Sequence, residues 1–292
     1  MIYLIFVSIL WAFSFGLIGS ALASLDSFFV AALRLLCASC VFLFFLKPSA
    51  IGKGSRIRLF LYGAIQFGLM YSCYMKAYHY IPSHLVALFS VFTPIYVVLI
   101  QGIRNKEFFL KYIIAAFLSV LGATFIKAQG KPSGDILIGF GLMQIAGVSF
   151  AFGQVAYRNW KRSHPAIPDR SIFAWLSLGG LFFCGLFACY MTDRAKVAIT
   201  TEQAIAIVYL GIFASGLGFF LWNKGASQTN PGTLAAFNNM VVPLAVIVSL
   251  FVFGEIKDIQ TESLIRLLVG TLFIGMGIFV AQRKTVTPSS EG

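Results

Sequence analysis

Ala226-Ser-Gln-Thr-Asn-Pro231-Gly-Thr-Leu234-Ala-Ala236, continuing to Pro243-Leu-Ala-Val246, is an imperfect copy of a stretch 149 residues earlier: Ala77-Tyr-His-Tyr-Ile-Pro82-Ser-His-Leu85-Val-Ala87, continuing to Pro94-Ile-Tyr-Val97. Ala, Pro, Leu, Ala, Pro and Val recur at one offset, and apolar residues fill most positions between. Each copy lies where one very apolar segment ends and another begins. A repeat of this kind in a membrane protein marks two structural halves with something bound between them. The stretch therefore predicts a duplicated membrane carrier.

The surrounding composition agrees. Of the 292 residues, 59% are hydrophobic and only 11% charged, with a mean hydropathy of +0.88. A soluble domain carries about 25% charged residues, so lipid must be the solvent of this chain. Continuous apolar runs at roughly 2–22, 27–46, 59–80, 84–103, 111–128, 136–156, 171–191, 204–223, 233–253 and 264–281 are each long enough to cross about 30 Å of hydrocarbon as a helix. The predicted fold is an all-α membrane protein of ten transmembrane helices, because a β-barrel would show short alternating segments instead. Ala21-Leu-Ala23 imitates a signal-peptide cleavage site. No cation precedes it, however, and Phe13-Ser-Phe15-Gly16 is echoed at Phe150-Ala-Phe152-Gly153, so the first helix is expected to be retained. Cys37-x-x-Cys40 and the other three cysteines fall inside apolar runs without the further ligands of a zinc site, and read as buried apolar cysteine.

The net charge of +12 raises a nucleic-acid partner, and its placement rejects one. If ten helices alternate sides, one side collects Lys47, Lys53, Arg56, Arg58, Arg104, Lys106, Lys111, Arg158, Lys161, Arg162, Arg170, Arg283 and Lys284. The other has Lys127, Lys131, Arg194, Lys196, Lys257 and Arg266. The positive-inside rule then puts both termini in the cytoplasm. Five helices per half is an odd number, so the halves, 1–130 and 131–284, form an inverted repeat with its Pro82 and Pro231 joints facing opposite sides. Residues 285–292 read as a disordered Ser/Pro-rich tail.

Three cations remain within or at the ends of helices: Arg34, Lys76 and Lys224. A charge at membrane depth costs at least about 2.5 kcal/mol, so its default reading is functional. Arg34, seven residues into the second helix, is the best candidate for a cavity-facing charge. Lys76 and Lys224 lie nearer the ends, where snorkelling competes. No Asp or Glu lies mid-helix to neutralise the three, which suits a substrate bearing a carboxylate. Tyr78, Phe89, Tyr96 and Trp222 are candidate rings for a flat ligand, along with Trp11, Tyr71 and Phe219. Asn238 and Asn239, with Asn223, Gln144 and Gln154, are amides that need a partner in lipid. Pro94 and Pro243 are expected to kink helices 4 and 9. No catalytic constellation, metal cluster or phosphate-binding glycine loop appears, so neither an enzyme, a cofactor nor an ATPase subunit is expected.

Ten helices in two inverted fives, the Arg early in helix 2, the paired prolines, and Gly254-Glu255 after helix 9 together resemble the drug/metabolite transporter superfamily, in its ten-helix EamA branch. The first half departs from the pattern, reading Arg104-Asn-Lys106-Glu107 without the Gly-Glu pair. Leu10-Trp-Ala-Phe-Ser-Phe15, Leu221-Trp-Asn-Lys-Gly-Ala-Ser-Gln228, Gly232-Thr-Leu234 and Asn238-Asn-Met240 are similar to biotin-importing members of the branch. The Phe- and Cys-rich composition resembles members that exchange S-adenosylmethionine for S-adenosylhomocysteine. The resemblance implies a secondary transporter of a small carboxylate-bearing metabolite in a bacterial inner membrane, working by alternating access. Of these substrates the resemblance implies S-adenosylmethionine uptake in exchange for S-adenosylhomocysteine, towards which aromatic faces that attract a sulfonium lean slightly; biotin or an amino acid is the alternative, and a non-transporting scaffold the reading from another class.

Overall fold

In lipid every backbone N–H and C=O must find its partner inside the protein, and this chain satisfies them by helix formation. The computed structural model describes residues 1–22, 24–77, 79–81, 86, 89–127, 135–251 and 261–283. Among these residues there are ten long helices and no strand. They are α1 (Ile2–Ala21), α2 (Ser27–Leu43), α3 (53–77), α4 (Thr93–Asn105), α5 (Leu110–Lys127), α6 (Ile136–Ser163), α7 (Asp169–Met191), α8 (Thr201–Gln228), α9 (Pro231–Phe251) and α10 (Thr261–Gln282). By length and composition α6, α7, α8 and the 265–282 part of α10 each suffice to cross a membrane, while Ile2–Ser14, Ser27–Leu43 and Leu110–Ile126 are shorter apolar helices.

Local chemistry starts several of these helices. The Asp26 side chain caps α2 by accepting from the Phe29 N–H at 2.9 Å. Thr200 and Gln203 close a reciprocal capping box on α8. Asn230 accepts from the Thr233 N–H at 2.8 Å, with Pro231 in the first turn of α9, where its missing N–H costs nothing. The same reason corrects the reading of Pro94. Helix α4 starts at Thr93 after a turn at residues 91–92, so Pro94 occupies a first turn and does not kink a continuous helix. Pro243 does lie inside α9.

Two helices change pitch midway. In α3 the segment Ala64–Leu69 is π-helical, and in α8 so is Leu210–Leu217. Both sit on the pattern Gly-x-x-x-x-Gly-Leu, Gly63 to Leu69 and Gly211 to Leu217. Such π-turns leave carbonyls off the regular ladder, and here the Trp11 indole N–H donates to the Ala214 carbonyl at 2.9 Å, tying α1 to α8.

Helix association in lipid relies on close packing of small residues, and glycine supplies it here. A Cβ on Gly63 would stand 1.9 Å from the Leu176 carbonyl oxygen, and one on Gly179 would stand 1.9 Å from that of Phe60, so α3 and α7 touch backbone to backbone. Helices α5 and α10 meet the same way at Gly122 and Gly270. Helix α2 packs on α7 and on the π-segment of α8, and α1, α4, α6, α8 and α9 surround one interior cluster that holds Leu4, Val97, Ala151, Trp222 and Phe237. Cys73 and Cys184 are buried as expected, but Cys40 and Cys189 face outward, because their helices present that side to lipid.

Candidate functional site

Arg34 turns inward. It is 5% exposed, its Nε donates to the Ser215 hydroxyl on the π-segment of α8 at 3.1 Å, and its guanidinium carbon lies 5.6 Å from the centre of the Tyr71 ring. Gly211 permits this: its missing Cβ would stand 3.3 Å from the Arg34 Cα, so α2 presses directly on α8. Among the described residues no carboxylate comes within ion-pair distance of Arg34. A buried charge with only neutral partners is costly, and the arrangement suits an anion that arrives from outside the protein.

From Tyr71 a chain of rings runs inward. Tyr71 meets the edge of Phe219 at 5.9 Å, Phe219 stacks on Phe67 at 4.6 Å and meets Trp11 at 5.5 Å, and Trp11 stacks on Trp222 at 4.9 Å. The Trp222 indole nitrogen is buried and has no hydrogen-bond partner among the described residues. The rings thus form an apolar wall with an unused donor at one end and a guanidinium at the other.

Beside the rings, two reciprocal amide pairs cross-link four helices. Gln66 in α3 and Asn223 in α8, both fully buried, exchange hydrogen bonds of 2.9 and 3.3 Å. Gln154 in α6 and Asn238 in α9 exchange bonds of 3.1 and 3.2 Å. The side chain of Gln66 lies against Gly153, next in sequence to Gln154, so the two pairs are neighbours. Gln66 is absent from the sequence candidates although it interrupts the apolar stretch Ala64-Ile-Gln-Phe67, which was the available signal. Asn223→Leu is expected to cost about 1–3 kcal/mol by orphaning Gln66, and Gln66→Leu with Asn223→Leu to recover most of that. Thermal unfolding in detergent measures both; equal losses for the single and double variants would contradict the pairing.

The remaining candidates are placed as follows. The Tyr96 hydroxyl donates to Gln144 Oε1 at 2.5 Å, holding α4 to α6, and the Phe89 ring meets Phe140 at 5.0 Å. The Asn239 amide donates to the Val91 and Ser119 carbonyls at 2.9 and 3.1 Å, so it serves helix packing in this arrangement. Lys76 and Lys224 are half-buried, with their ammonium groups 5.7 Å from the Tyr80 ring and 4.9 Å from the Tyr3 ring. Tyr78 lies outside the described residues.

One residue counted among the loop cations belongs to the interior. Helix α6 continues to Ser163, and Arg158 within it is only 4% exposed. Its signal was the apolar spacing of Val155, Ala156 and Trp160, which carries the helix past the hydrophobic run.

Apolar helices joined at glycine contacts, with an unneutralised guanidinium, a wall of rings and two buried amide pairs, one of them joining the two halves, define a membrane carrier of small molecules. The chain belongs to the EamA-like transporter family, whose pattern matches residues 1–128 and again 133–282. It is 36% identical to a protein of Escherichia coli (strain K12) named biotin transporter, over 100% of this chain and 95% of that one. It is also 36% identical to a Pseudomonas aeruginosa protein named probable biotin transporter, over 90% and 92% of the two chains. One solved crystal structure shares the fold with a TM-score of 0.77 at 18% identity, covering 95% of this chain and 94% of the other.

Proposed function

We propose that this chain carries biotin across a bacterial inner membrane as a secondary transporter, with both termini cytoplasmic and its halves arranged as an inverted repeat for alternating access. The observation that carries the reading is Arg34, buried with no carboxylate against it among the described residues, in a chain whose relatives named biotin transporter match it nearly end to end. Biotin bears one carboxylate, which suits that guanidinium. Its ureido ring offers two N–H donors and one carbonyl acceptor, a pattern that primary amides complement from either side. Gln66, Asn223, Gln154 and Asn238 can trade their mutual bonds for that group at little net cost, since each bond given up is replaced.

S-adenosylmethionine has less support. Its sulfonium calls for a free aromatic face, and the rings nearest the site stack on one another while Tyr71 already lies under a guanidinium. A second cation there meets like charge. The test is accumulation of radiolabelled biotin by cells that lack biotin synthesis and uptake of their own, with and without this chain. Unlabelled S-adenosylmethionine and aromatic amino acids serve as competitors. Biotin uptake that ignores the competitors is expected; no biotin uptake, with exchange of S-adenosylmethionine, replaces the reading.

A further inference from the structure

A second buried guanidinium lies at the other end of the bundle, where α4 and α6 finish and α5 and α9 begin. Arg158 Nε donates to the Thr229 carbonyl at 3.2 Å and Nη1 to Gln101 Oε1 at 3.1 Å. Arg162, one turn on, donates to the same Thr229 carbonyl at 3.3 Å and to the Ser227 carbonyl at 3.2 Å. Both arginines line a cavity of about 180 Å³, together with Gln101, Tyr112, Asn159 and Glu107.

Around Arg158 the donors outnumber the acceptors they reach. Asn159 donates to the Gln101 oxygen that Arg158 already uses. The Gln101 amide nitrogen is buried and has no partner among the described residues. No carboxylate comes within 4.0 Å of either guanidinium, Glu107 included, among the described residues. The alternative role for Arg158 is to cap the carboxyl end of α8. That helix end presents only about half an elementary negative charge, and two guanidinium groups share it. Arg162 is exposed and reaches water, but Arg158 is buried, so most of its charge stays uncompensated, and the Gln101 donor pointing at nothing is costly in the same place.

We propose that this cavity is a second, anion-binding station of the carrier, which takes the carboxylate of the cargo at the inner mouth while Arg34 serves the other end of the path. This rests on the reading above that the cargo bears a carboxylate. The size agrees with a station for one end of the molecule: whole-ligand pockets run from about 300 Å³ upward, and this cavity is smaller. Arg158, Arg162 and the Gln101 amide together offer charge-assisted bonds to both oxygens of a carboxylate.

Thermal unfolding of the full chain in lipid nanodiscs tests this, with pentanoate as probe and uncharged pentanamide as control. In Arg34→Gln the response to pentanoate reports the cavity, and a rise in Tm of about 3 °C near saturation is expected, with none for pentanamide. Gln101→Glu sets a carboxylate against Arg158 from within the protein. Added to Arg34→Gln, it is expected to raise Tm by itself and to remove the pentanoate response. A response that survives Gln101→Glu, or one that pentanamide reproduces, overturns the proposal, as does no response in Arg34→Gln. If Arg34→Gln fails to fold, Gln101→Glu alone must at least halve the pentanoate response of the otherwise native chain, and an unchanged response overturns the proposal. Biotin uptake is scored separately in cells. Absent uptake with the cavity response intact removes the biotin reading and leaves the site; intact uptake with no cavity response removes the site and leaves the reading.

Discussion

Arg34→Gln is expected to abolish transport while leaving the chain folded, inserted and no less stable. The two effects have opposite signs for one physical reason. In the empty protein the guanidinium is a buried charge with a hydroxyl and a ring for company, so its removal relieves a desolvation cost; Gln can keep the bond to Ser215. With a carboxylate bound, the same substitution deletes one partner of a desolvated ion pair. That loss is about 2–5 kcal/mol, roughly a 30-fold to several-thousand-fold drop in affinity. Arg34→Lys retains the charge but not the planar fork and is expected to fall between. Uptake of labelled substrate and Tm of the purified protein, measured on the same variants, decide it. Full uptake by Arg34→Gln removes the residue from the site, and a collapse in folded yield makes its role structural.

Gly179→Val is expected to damage the fold severely, as would a side chain at Gly63 across the same contact. The new Cβ of Gly179→Val would sit 1.9 Å from the Phe60 carbonyl oxygen, 2.7 Å from the carbonyl carbon and 3.0 Å from the Ala64 N, all backbone atoms that no rotamer change can move aside. Helices α3 and α7 must then separate where the π-segment of α3 begins, giving up the packing that holds helices together in lipid. Overpacking typically costs about 1–3 kcal/mol, and a clash with backbone that cannot yield puts this change at the top of that range. Gly185→Val provides the control, since it lies in the same helix with nothing within 4 Å of its would-be Cβ. Folded yield and Tm in detergent separate the two, and equal behaviour would show that the α3–α7 contact is not decisive.

The ten helices were readable because lipid imposes unbroken apolar runs, and hydropathy registers those directly. Helix ends were harder. Helix α3 starts at Lys53 and α6 ends at Ser163, in cation-bearing turns beyond the apolar runs. That blindness placed Arg158 among the loop charges, although Val155, Ala156 and Trp160 continue the helix around it. Arg34 was legible as a lone cation deep in an apolar run. The Gln66–Asn223 pair was not, because its members are 157 residues apart and a single sequence does not reveal such pairings. Pro94 misled because composition looks the same whether a helix bends at a proline or restarts there. The aromatic count pointed to a sulfonium ligand because it cannot tell which ring faces are free. The stacking of Trp11 on Trp222 and Phe219 on Phe67 leaves fewer than the count implies.

The π-segments of α3 and α8 have a mechanical consequence. Each stores spare chain within an otherwise taut rod, next to a glycine pair at which a neighbouring helix approaches closely. Passing one residue of that slack up or down a rod would turn everything beyond it by about 100°. In α3 that swings Tyr71 out from under Arg34, and in α8 it swings Trp222 off Trp11. On the proposed reading of a carrier with two mouths, such a screw-like movement would unlatch one mouth without prying the helices apart, and the matching slack in both rods would suit either mouth.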